Sequence, residues 1–420
     1  MKQKILSLLS NLLFISCLSY FINGLFPQFF LALKGSLSFD VNMILKMLIV
    51  PVAAFGFVLM GKLKKKYINT TILSLLFMFY LVLNSLFFYY ALQKNIVDLF
   101  SDYNAYYFFL ILLPLILFLN ESLSEKLIVR WFLVLFIPCV VIGFIQFFGQ
   151  TPFLPTYEPN EYFQVYSWDY YGKVRAFSLF DSGISFGHFI AIVSSIALAF
   201  FLYRRKSKWL FLVCLCLLAG YITLTRNAYL EILVTLISTF IIAKAKKNTW
   251  LLKVLPFVYG LIGVIISLVA PVISRVYRSD LFGSDSIFMR FDTWERVFKQ
   301  WTGGSGVNTL FGLGVTQGVN NMIDNSFLAV AFHIGLIGFV LWFFLMNNMW
   351  LMILNKCLND KSVLNVALTS FFATWMLTGL FNTNFMVYII AFYVFLISKK
   401  NIKLEKSEKK RIFKMKRIVW

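Results

Sequence analysis

The chain has 420 residues, of which 60% are hydrophobic and 14% charged, with a mean hydropathy of +0.80 and a formal net charge of +21. Apolar runs of about 18 or more residues recur along it, which is typical of bilayer-spanning helices and excludes an ordinary soluble protein. No hydrophilic stretch is much longer than about 50 residues, too few for a separate soluble domain. We therefore predict one all-α, polytopic membrane domain over 1–398 and a basic tail over 399–420.

The positive charge is grouped in short blocks of Lys and Arg between the apolar runs, at 62–66, 204–208, 244–247 and in the tail. The positive-inside rule explains these blocks without a nucleic-acid partner, and it places both termini in the cytoplasm with about twelve spanning helices. The predicted spans are 5–23, 41–60, 68–90, 105–119, 126–147, 182–203, 209–225, 227–243, 250–273, 326–347, 362–381 and 384–398.

This arrangement leaves two larger segments outside the cytoplasm, at about 149–181 and 274–325. The first is rich in aromatic residues, which suit either a membrane-interface belt or a lid that stacks on sugar rings. It ends near Arg175, just before the sixth predicted helix. Guanidinium groups bind phosphate oxygens in a bidentate manner, so Arg175 is a candidate substrate-binding residue.

The second external segment contains the stretch MRFDTWERVFKQW from residue 289, in which aromatic residues recur at helical spacing. We predict an amphipathic helix, capped at Asp285-Ser286 and ended by Gly303-Gly304, lying on the outer membrane interface with its aromatic face down. The aromatic residues of that face are Phe291, Trp294, Phe298 and Trp301.

Charged residues on this helix form two potential pairs at i,i+4, namely Asp292 with Arg296 and Glu295 with Lys299. Arg290 has no such partner, which leaves its charge available for a ligand. Arg290 is therefore the residue of this stretch whose charge is most clearly available for something else, and Arg296 is a candidate substrate-binding residue.

Arg226 and Glu231 lie in otherwise apolar surroundings in LTRNAYLE. Ionisable groups in such segments are costly, by about 2.5–3.5 kcal/mol on insertion scales, and are commonly functional. The alternative is that Arg226 lies at the external interface or forms a structural pair with Glu231, although residues five apart on a helix are poorly placed to meet. Three arginines near the outer face, Arg175, Arg226 and Arg290, would together suit a lipid-linked pyrophosphate.

Asp324 and Asn325 lie where the second external segment re-enters the membrane. Asp324 is the candidate general base, with the alternative that it merely caps the helix beginning at Ser326. His333 and His188 lie farther into apolar helices, where a lone histidine is usually a packing residue. Asn325, Glu231 and His333 are further candidate substrate-binding residues. The sequence has no HExxH or GxxxxGK[ST] motif, so we expect neither a metal nor a cofactor.

Several short motifs in this order resemble the O-antigen ligase and polymerase family of bacterial inner-membrane proteins. They are G-x-x-F-G at 183–187, T-R-x-A at 225–228, R-x-x-x-W at 290–294, L-F-G-L-G at 310–314 and D-N-S-F-L…G-L-I-G-F at 324–339. The resemblance covers roughly 170–345. It implies a GT-C-like fold and inverting, metal-independent glycosyl transfer at the periplasmic face from an undecaprenyl-pyrophosphate donor.

The resemblance implies that Arg226, Arg290 and Asp324 are the catalytic residues. Arg226 and Arg290 would hold the pyrophosphate, and Asp324 would activate the acceptor hydroxyl. Ligases typically carry His before Asn at that position, so Asp324-Asn325 favours a polymerase of O-antigen or capsule repeat units. An O-antigen ligase and a flippase of the lipid-linked oligosaccharide are the alternatives. The predicted partners are the lipid-linked oligosaccharide, membrane lipid, a chain-length regulator and a flippase.

Overall fold

Nearly all of the regular structure in a computed structural model of the chain is α-helical. The structure describes residues 2–21, 65–92, 96–117, 123–151, 169–170, 173–180, 182–245, 250–277, 284–315, 323–382 and 385–399. The predicted helix over 41–60, most of the aromatic external segment and nearly all of the basic tail lie outside these residues.

The described helices are numbered here in chain order, and a short 3₁₀ turn at Lys65–Tyr67 precedes the second. They are α1 (Lys2–Phe21), α2 (Ile68–Leu92), α3 (Ile96–Ile116), α4 (Glu125–Gly149), α5 (Gly183–Arg204), α6 (Ser207–Ile222), α7 (Arg226–Lys244), α8 (Trp250–Lys253), α9 (Leu255–Tyr277), α10 (Ser284–Thr302), α11 (Gly306–Phe311), α12 (Ser326–Asn359), α13 (Val363–Phe372), α14 (Trp375–Gly379) and α15 (Met386–Ile397).

Five stretches of helix among the described residues are long and apolar enough to cross a membrane: Ile68–Tyr90, Glu125–Gly149, Gly183–Arg204, Arg226–Lys244 and Ser326–Asn359. Shorter apolar helices accompany them, including Ser207–Ile222 and Met386–Ile397. The prediction of a helical, membrane-type protein is therefore confirmed. The predicted helix pair over 209–225 and 227–243 is also confirmed as α6 and α7, joined by a turn that ends just before Arg226.

Two short ribbons are the described β-structure. Strands β1 (Leu123–Ser124) and β4 (Ser398–Lys399) pair in parallel, with Leu123 opposite Ser398. Strands β2 (Asp169–Tyr170) and β3 (Lys173–Val174) pair in antiparallel fashion, with Asp169 opposite Val174. The second ribbon precedes Arg175 and leads the chain towards α5.

Helix α5 forms the centre of the bundle and packs against α6, α7 and α13. Its residues are apolar on all sides and buried from Gly183 to Ala197, as expected for a helix surrounded by other helices. Gly187 lies against α7, where an added methyl group would be 2.4 Å from the Cβ of Ala228. Small residues let two helices approach closely. The G-x-x-F-G and T-R-x-A motifs therefore contain a packing contact between α5 and α7.

The bundle has two ends. The starts of α5, α7 and α12 lie at one of them, which we call the Arg226 end. At the opposite end the ammonium of Lys361 donates to the carbonyl of Ala243, in the last turn of α7, and to that of Ala245, just after the helix. A lysine at a helix C-terminus satisfies carbonyls that the helix leaves unbonded.

Helix α12 is broken at Gly335, whose φ of 68° lies in the left-handed region. A break frees carbonyls in the preceding turn, and each one needs a donor in a membrane-type bundle. The Leu313 N–H donates to the Phe332 carbonyl at 2.7 Å and the Gly314 N–H to that of His333 at 3.1 Å. The Tyr80 hydroxyl donates to the Ile334 carbonyl at 2.5 Å. Two of these three donors belong to the L-F-G-L-G motif, which therefore stabilises the break in α12.

Candidate functional site

Arg290 and Asp324 form an ion pair at the Arg226 end, where α10 meets the start of α12. The Arg290 Nε lies 2.6 Å from Asp324 Oδ2, and the two side chains are 38% and 32% exposed. Arg290 lacks an i,i+4 partner, as predicted, but its charge is not unpaired. Its partner Asp324 lies just before α12, in a distant part of the chain that spacing along α10 does not reveal. Two residues predicted to be catalytic nevertheless lie in direct contact.

Trp294 completes this arrangement from the next turn of α10. Its indole Nε1–H donates to Asp324 Oδ1 at 2.9 Å, so each carboxylate oxygen receives a donor. Arg290 and Trp294 are four residues apart and so share one face of the helix. We call Arg290, Trp294 and Asp324 the Arg290–Asp324 site.

Asn325 caps α12, which corrects the alternative that Asp324 is the cap. The Asn325 Oδ1 accepts from the N–H groups of Phe327 and Leu328 at 3.0 and 3.1 Å. Asn325 is buried, whereas Asp324 is half-exposed just outside the helix. Asp324 is thus left available for chemistry, and Asn325 holds the chain where Asp324 is presented.

An open groove of about 610 Å³ adjoins the site, between α10 and the first turns of α12. Its walls are mainly apolar and aromatic, with Glu295 and Asn325 among the few polar residues. The apolar lining consists of Trp294, Phe298, Trp301, Phe327, Leu328, Ala331, Leu336 and Phe339. A charged pair therefore lies beside an apolar surface, which suits a ligand that is anionic at one end and hydrocarbon at the other.

The amphipathic helix is confirmed as α10, and its predicted position on the outer membrane interface remains a prediction. Val297 and Trp301 are buried against the start of α12, in a small core with Ile323 and Phe332. Phe298 of the predicted aromatic face is 53% exposed. The side chain of Phe291 lies outside the described residues. Part of the aromatic face therefore packs on protein.

Other details of α10 are settled by its bounds and side chains. Asp285 and Ser286 lie inside the helix, which begins at Ser284, so they are not its cap. The predicted pair of Glu295 and Lys299 forms at 2.6 Å, and the Lys299 ammonium lowers the pKa of Glu295. Arg296 is exposed on the side away from the bundle, and its substrate-binding role remains a prediction.

Arg175 and Arg226 lie on neighbouring segments at the same end. The Ala176 N–H donates to the carbonyl of Ile222 at 3.0 Å, which ties the segment after β3 to the turn before α7. Both arginine side chains are half-buried. Arg226 occupies the first position of α7, and its predicted role in holding a pyrophosphate remains a prediction.

Glu231 lies in the core, in a network with His188, Asn382 and Tyr388 that we call the buried histidine network. Its carboxylate Oε2 lies 2.5 Å from His188 Nδ1, and the Tyr388 hydroxyl donates to Oε1 at 2.7 Å. The Glu231 and His188 side chains are 0% and 1% exposed. The prediction that Glu231 binds substrate is therefore wrong for this conformation, as is its pairing with Arg226 as an alternative.

The buried histidine network and the Arg290–Asp324 site are connected through Asn382. The Asn382 amide nitrogen lies 3.1 Å from His188 Nε2, and the Asn382 carbonyl accepts from the hydroxyl of Ser326. Ser326 is two residues from Asp324. A continuous path of hydrogen bonds and short chain segments therefore joins Glu231 on α7 to Asp324.

His333 belongs neither to the Arg290–Asp324 site nor to the buried histidine network. It is fully buried just before the break at Gly335, with the Tyr107 hydroxyl 3.5 Å from its Nδ1 and the Tyr106 ring 4.6 Å from its own. Because it has no exposed surface, its predicted contact with substrate is wrong here. The alternative that it is a packing residue describes it better.

Trp294, Asn382 and Tyr388 were missed as functional candidates by sequence reasoning. The spacing of Trp294 from Arg290 is a usable signal, since it places both side chains on one face of α10. No comparable signal links Asn382 or Tyr388 to His188, because they come from distant parts of the chain.

Comparison with known proteins adds no relative. No protein-family model matches the sequence, and no curated protein matches it. The function must therefore be argued from the Arg290–Asp324 site, its groove and the motifs of the sequence.

Proposed function

We propose that the chain is a polymerase of lipid-linked oligosaccharide repeat units, of O-antigen or capsule, at the periplasmic face of the bacterial inner membrane. The observation that carries this proposal is the contact between Arg290 and Asp324 beside an apolar groove. An undecaprenyl-pyrophosphate donor has the same division into an anionic and a hydrocarbon part. The proposal includes about twelve spanning helices in a GT-C-like arrangement, with both termini in the cytoplasm.

The proposed reaction is a single inverting displacement. An acceptor hydroxyl oxygen attacks the anomeric carbon of the donor, the bond from that carbon to the diphosphate breaks, and Asp324 takes the hydroxyl proton. Arg290, with Arg226 and Arg175, stabilises the charge on the departing diphosphate. No nucleotide is needed because the energy is stored in the donor.

The ion pair assigns an order to these events. While Arg290 and Trp294 both donate to Asp324, both carboxylate oxygens are occupied by protein donors. A diphosphate competes for the Arg290 guanidinium, since bidentate contacts to phosphate are strong. Donor binding would thereby release one oxygen of Asp324 for the acceptor hydroxyl.

The direct test is in vitro elongation of a defined lipid-linked unit by purified protein in detergent. We expect longer products from the wild type and loss of elongation in Arg290→Ala, while Lys299→Ala on the exposed side of α10 retains it. Failure of the wild type to elongate any lipid-linked unit would count against the proposal. In cells, Arg290→Ala should remove the ladder of glycan chain lengths on a gel.

A ligase that transfers glycan to lipid A-core is the enzymatic alternative. A null mutant separates the two activities, because loss of polymerisation leaves single units on the surface lipid whereas loss of ligation leaves none. The Asp324-Asn325 sequence supports the polymerase, as ligases typically carry His before Asn.

A flippase of the same lipid-linked unit is favoured by two observations, the broken helix α12 and the buried carboxylate of Glu231. Transporters use the free carbonyls of broken helices to bind ions. Here the carbonyls of Phe332, His333 and Ile334 are all bonded by protein donors. Elongation in detergent, with no compartment to cross, would also decide between these functions.

A further inference from the structure

The buried histidine network crosses the core between the helix that bears Arg226 and the chain that bears Asp324. Glu231 lies on α7, five residues after Arg226, and His188 lies on α5. Asn382 follows α14 and is bonded to Ser326, the first residue of α12. Each link joins a different element, so the network fixes three elements relative to one another.

The hydrogen bonds assign the protons in this network. The Asn382 amide N–H donates to His188 Nε2, so the ring proton lies on Nδ1 and donates to Glu231 Oε2. The Tyr388 hydroxyl donates to Oε1 and in turn contacts the hydroxyl of Thr378. With this assignment both ring nitrogens of His188 and both carboxylate oxygens of Glu231 have a partner, although the two side chains are almost completely buried.

Retaining a carboxylate in an apolar core is costly, and a well-packed apolar pair would often be as stable. A directional network can instead fix the rotation and register of the helices that carry it, as polar core residues do in some coiled coils. This property matters at an active site, where a displacement of about 1 Å can lower a rate by about 10²-fold.

We propose that Glu231 and His188 are positioning residues, which hold Arg226 and Asp324 at a fixed separation for glycosyl transfer. This inference rests on the proposed function. Arg226 would stabilise the departing diphosphate and Asp324 would take the proton, so their separation must match the distance across the reacting centre. Glu231 and His188 are buried and touch no substrate themselves.

The proton assignment determines which substitutions test the positioning role of Glu231. Glu231→Ala removes both acceptors. Glu231→Gln keeps the links, because its carbonyl accepts from Tyr388 while its amide donates to His188, whose ring proton moves to Nε2 with rotation of the Asn382 amide. Ser326→Ala removes the link to Asn382 without changing the core and serves where Glu231→Ala does not fold.

The matched control is Thr239→Val. Thr239 on α7 contacts Ser195 on α5 at 2.6 Å, so it joins the same two helices by a buried hydroxyl pair farther from Asp324. The substitution keeps the size of the side chain and removes that hydrogen bond. It tests whether any loss of polar contact between α5 and α7 lowers activity.

The experiment measures kcat and donor KM for elongation in detergent over a range of pH, with thermal unfolding of each variant alongside. For Glu231→Ala we expect kcat to fall about 10²-fold, with donor KM changed less than about threefold. Ser326→Ala should lower kcat in the same way but less. Glu231→Gln should regain at least a tenth of wild-type kcat, and Thr239→Val should match the wild type.

Wild-type kcat in both Glu231→Ala and Ser326→Ala would overturn the positioning role, and so would a change in KM alone. If kcat is lowered equally in Glu231→Gln and Glu231→Ala, and the pH dependence of their residual kcat differs from that of the wild type, the positioning role is wrong and Glu231 takes part in proton transfer. A wild-type protein that elongates nothing refutes the proposed function, whereas an active wild type with insensitive variants refutes this inference only.

Discussion

Arg290 and Asp324 are 34 residues apart in the chain (324 − 290), yet their side chains meet at 2.6 Å. The contact forms because α10 lays one face on the start of α12, where Val297 and Trp301 are buried. The two side chains remain 38% and 32% exposed. The proposed anion-binding group and the proposed base therefore meet at a surface that a ligand can reach.

Replacement of Arg290 with Lys should retain only part of the activity. Lysine carries the charge but lacks the planar fork that binds a phosphate through two N–H groups. We expect Arg290→Ala to cost on the order of 3 kcal/mol of transition-state stabilisation, about 10²-fold in rate, and Arg290→Lys to fall between it and the wild type. The elongation rate of each Arg290 variant at saturating donor, relative to the wild type, is the measurement. Full activity of Arg290→Lys would contradict a bidentate role.

Trp294→Phe should lower the rate of elongation about tenfold. The change keeps an aromatic ring in the groove and removes the N–H that holds the Asp324 carboxylate in place. A hydrogen bond to a charged group is worth about 1.5–3 kcal/mol when buried and less at this half-exposed position. Trp301→Phe on the same helix is the control, because the Trp301 indole nitrogen is buried without a hydrogen-bond partner. Equal rates for both variants would show that the Trp294 N–H has no catalytic importance.

Gly335→Ala should destabilise the protein by several kcal/mol. The residue has a φ of 68°, and an added methyl group would lie 2.1 Å from the Leu310 carbonyl oxygen. Gly306→Ala is the control, as an added methyl group there meets no atom within 4 Å. Thermal unfolding in detergent should show a lower midpoint for the first variant only. Unchanged unfolding of Gly335→Ala would mean that the close approach of α11 to the helix break is not maintained.

Asn325→Ala should lower the free energy of unfolding by about 0.5–2 kcal/mol, since two N–H groups at the start of α12 lose their acceptor. Asn325→Asp keeps the side-chain oxygen and should retain most of that stability. Because Asn325 also sets the position of Asp324, elongation should fall in the Ala variant more than stability requires. Full activity of Asn325→Ala would show that the cap of α12 is not needed to position Asp324.

The sequence determined much of the site before its geometry was known. Apolar runs and polar turns gave α6, α7 and the start of α12 nearly at their observed bounds, because hydrophobic periodicity is a local property of the chain. The aromatic spacing gave α10. Arg290 and Asp324 were recognisable as candidates because charged groups are rare in such surroundings.

Only the tertiary structure decided how these residues combine. Whether Trp294 faces lipid or Asp324, and whether Glu231 pairs with Arg226 or His188, depends on the rotation of one helix against another. That rotation is fixed by contacts between distant segments, such as Gly187 against Ala228 and Ser326 with Asn382. Side-chain spacing along a single helix carries no information about such contacts. The sequence therefore determined which groups are present at one end of the bundle, and packing decided which of them meet.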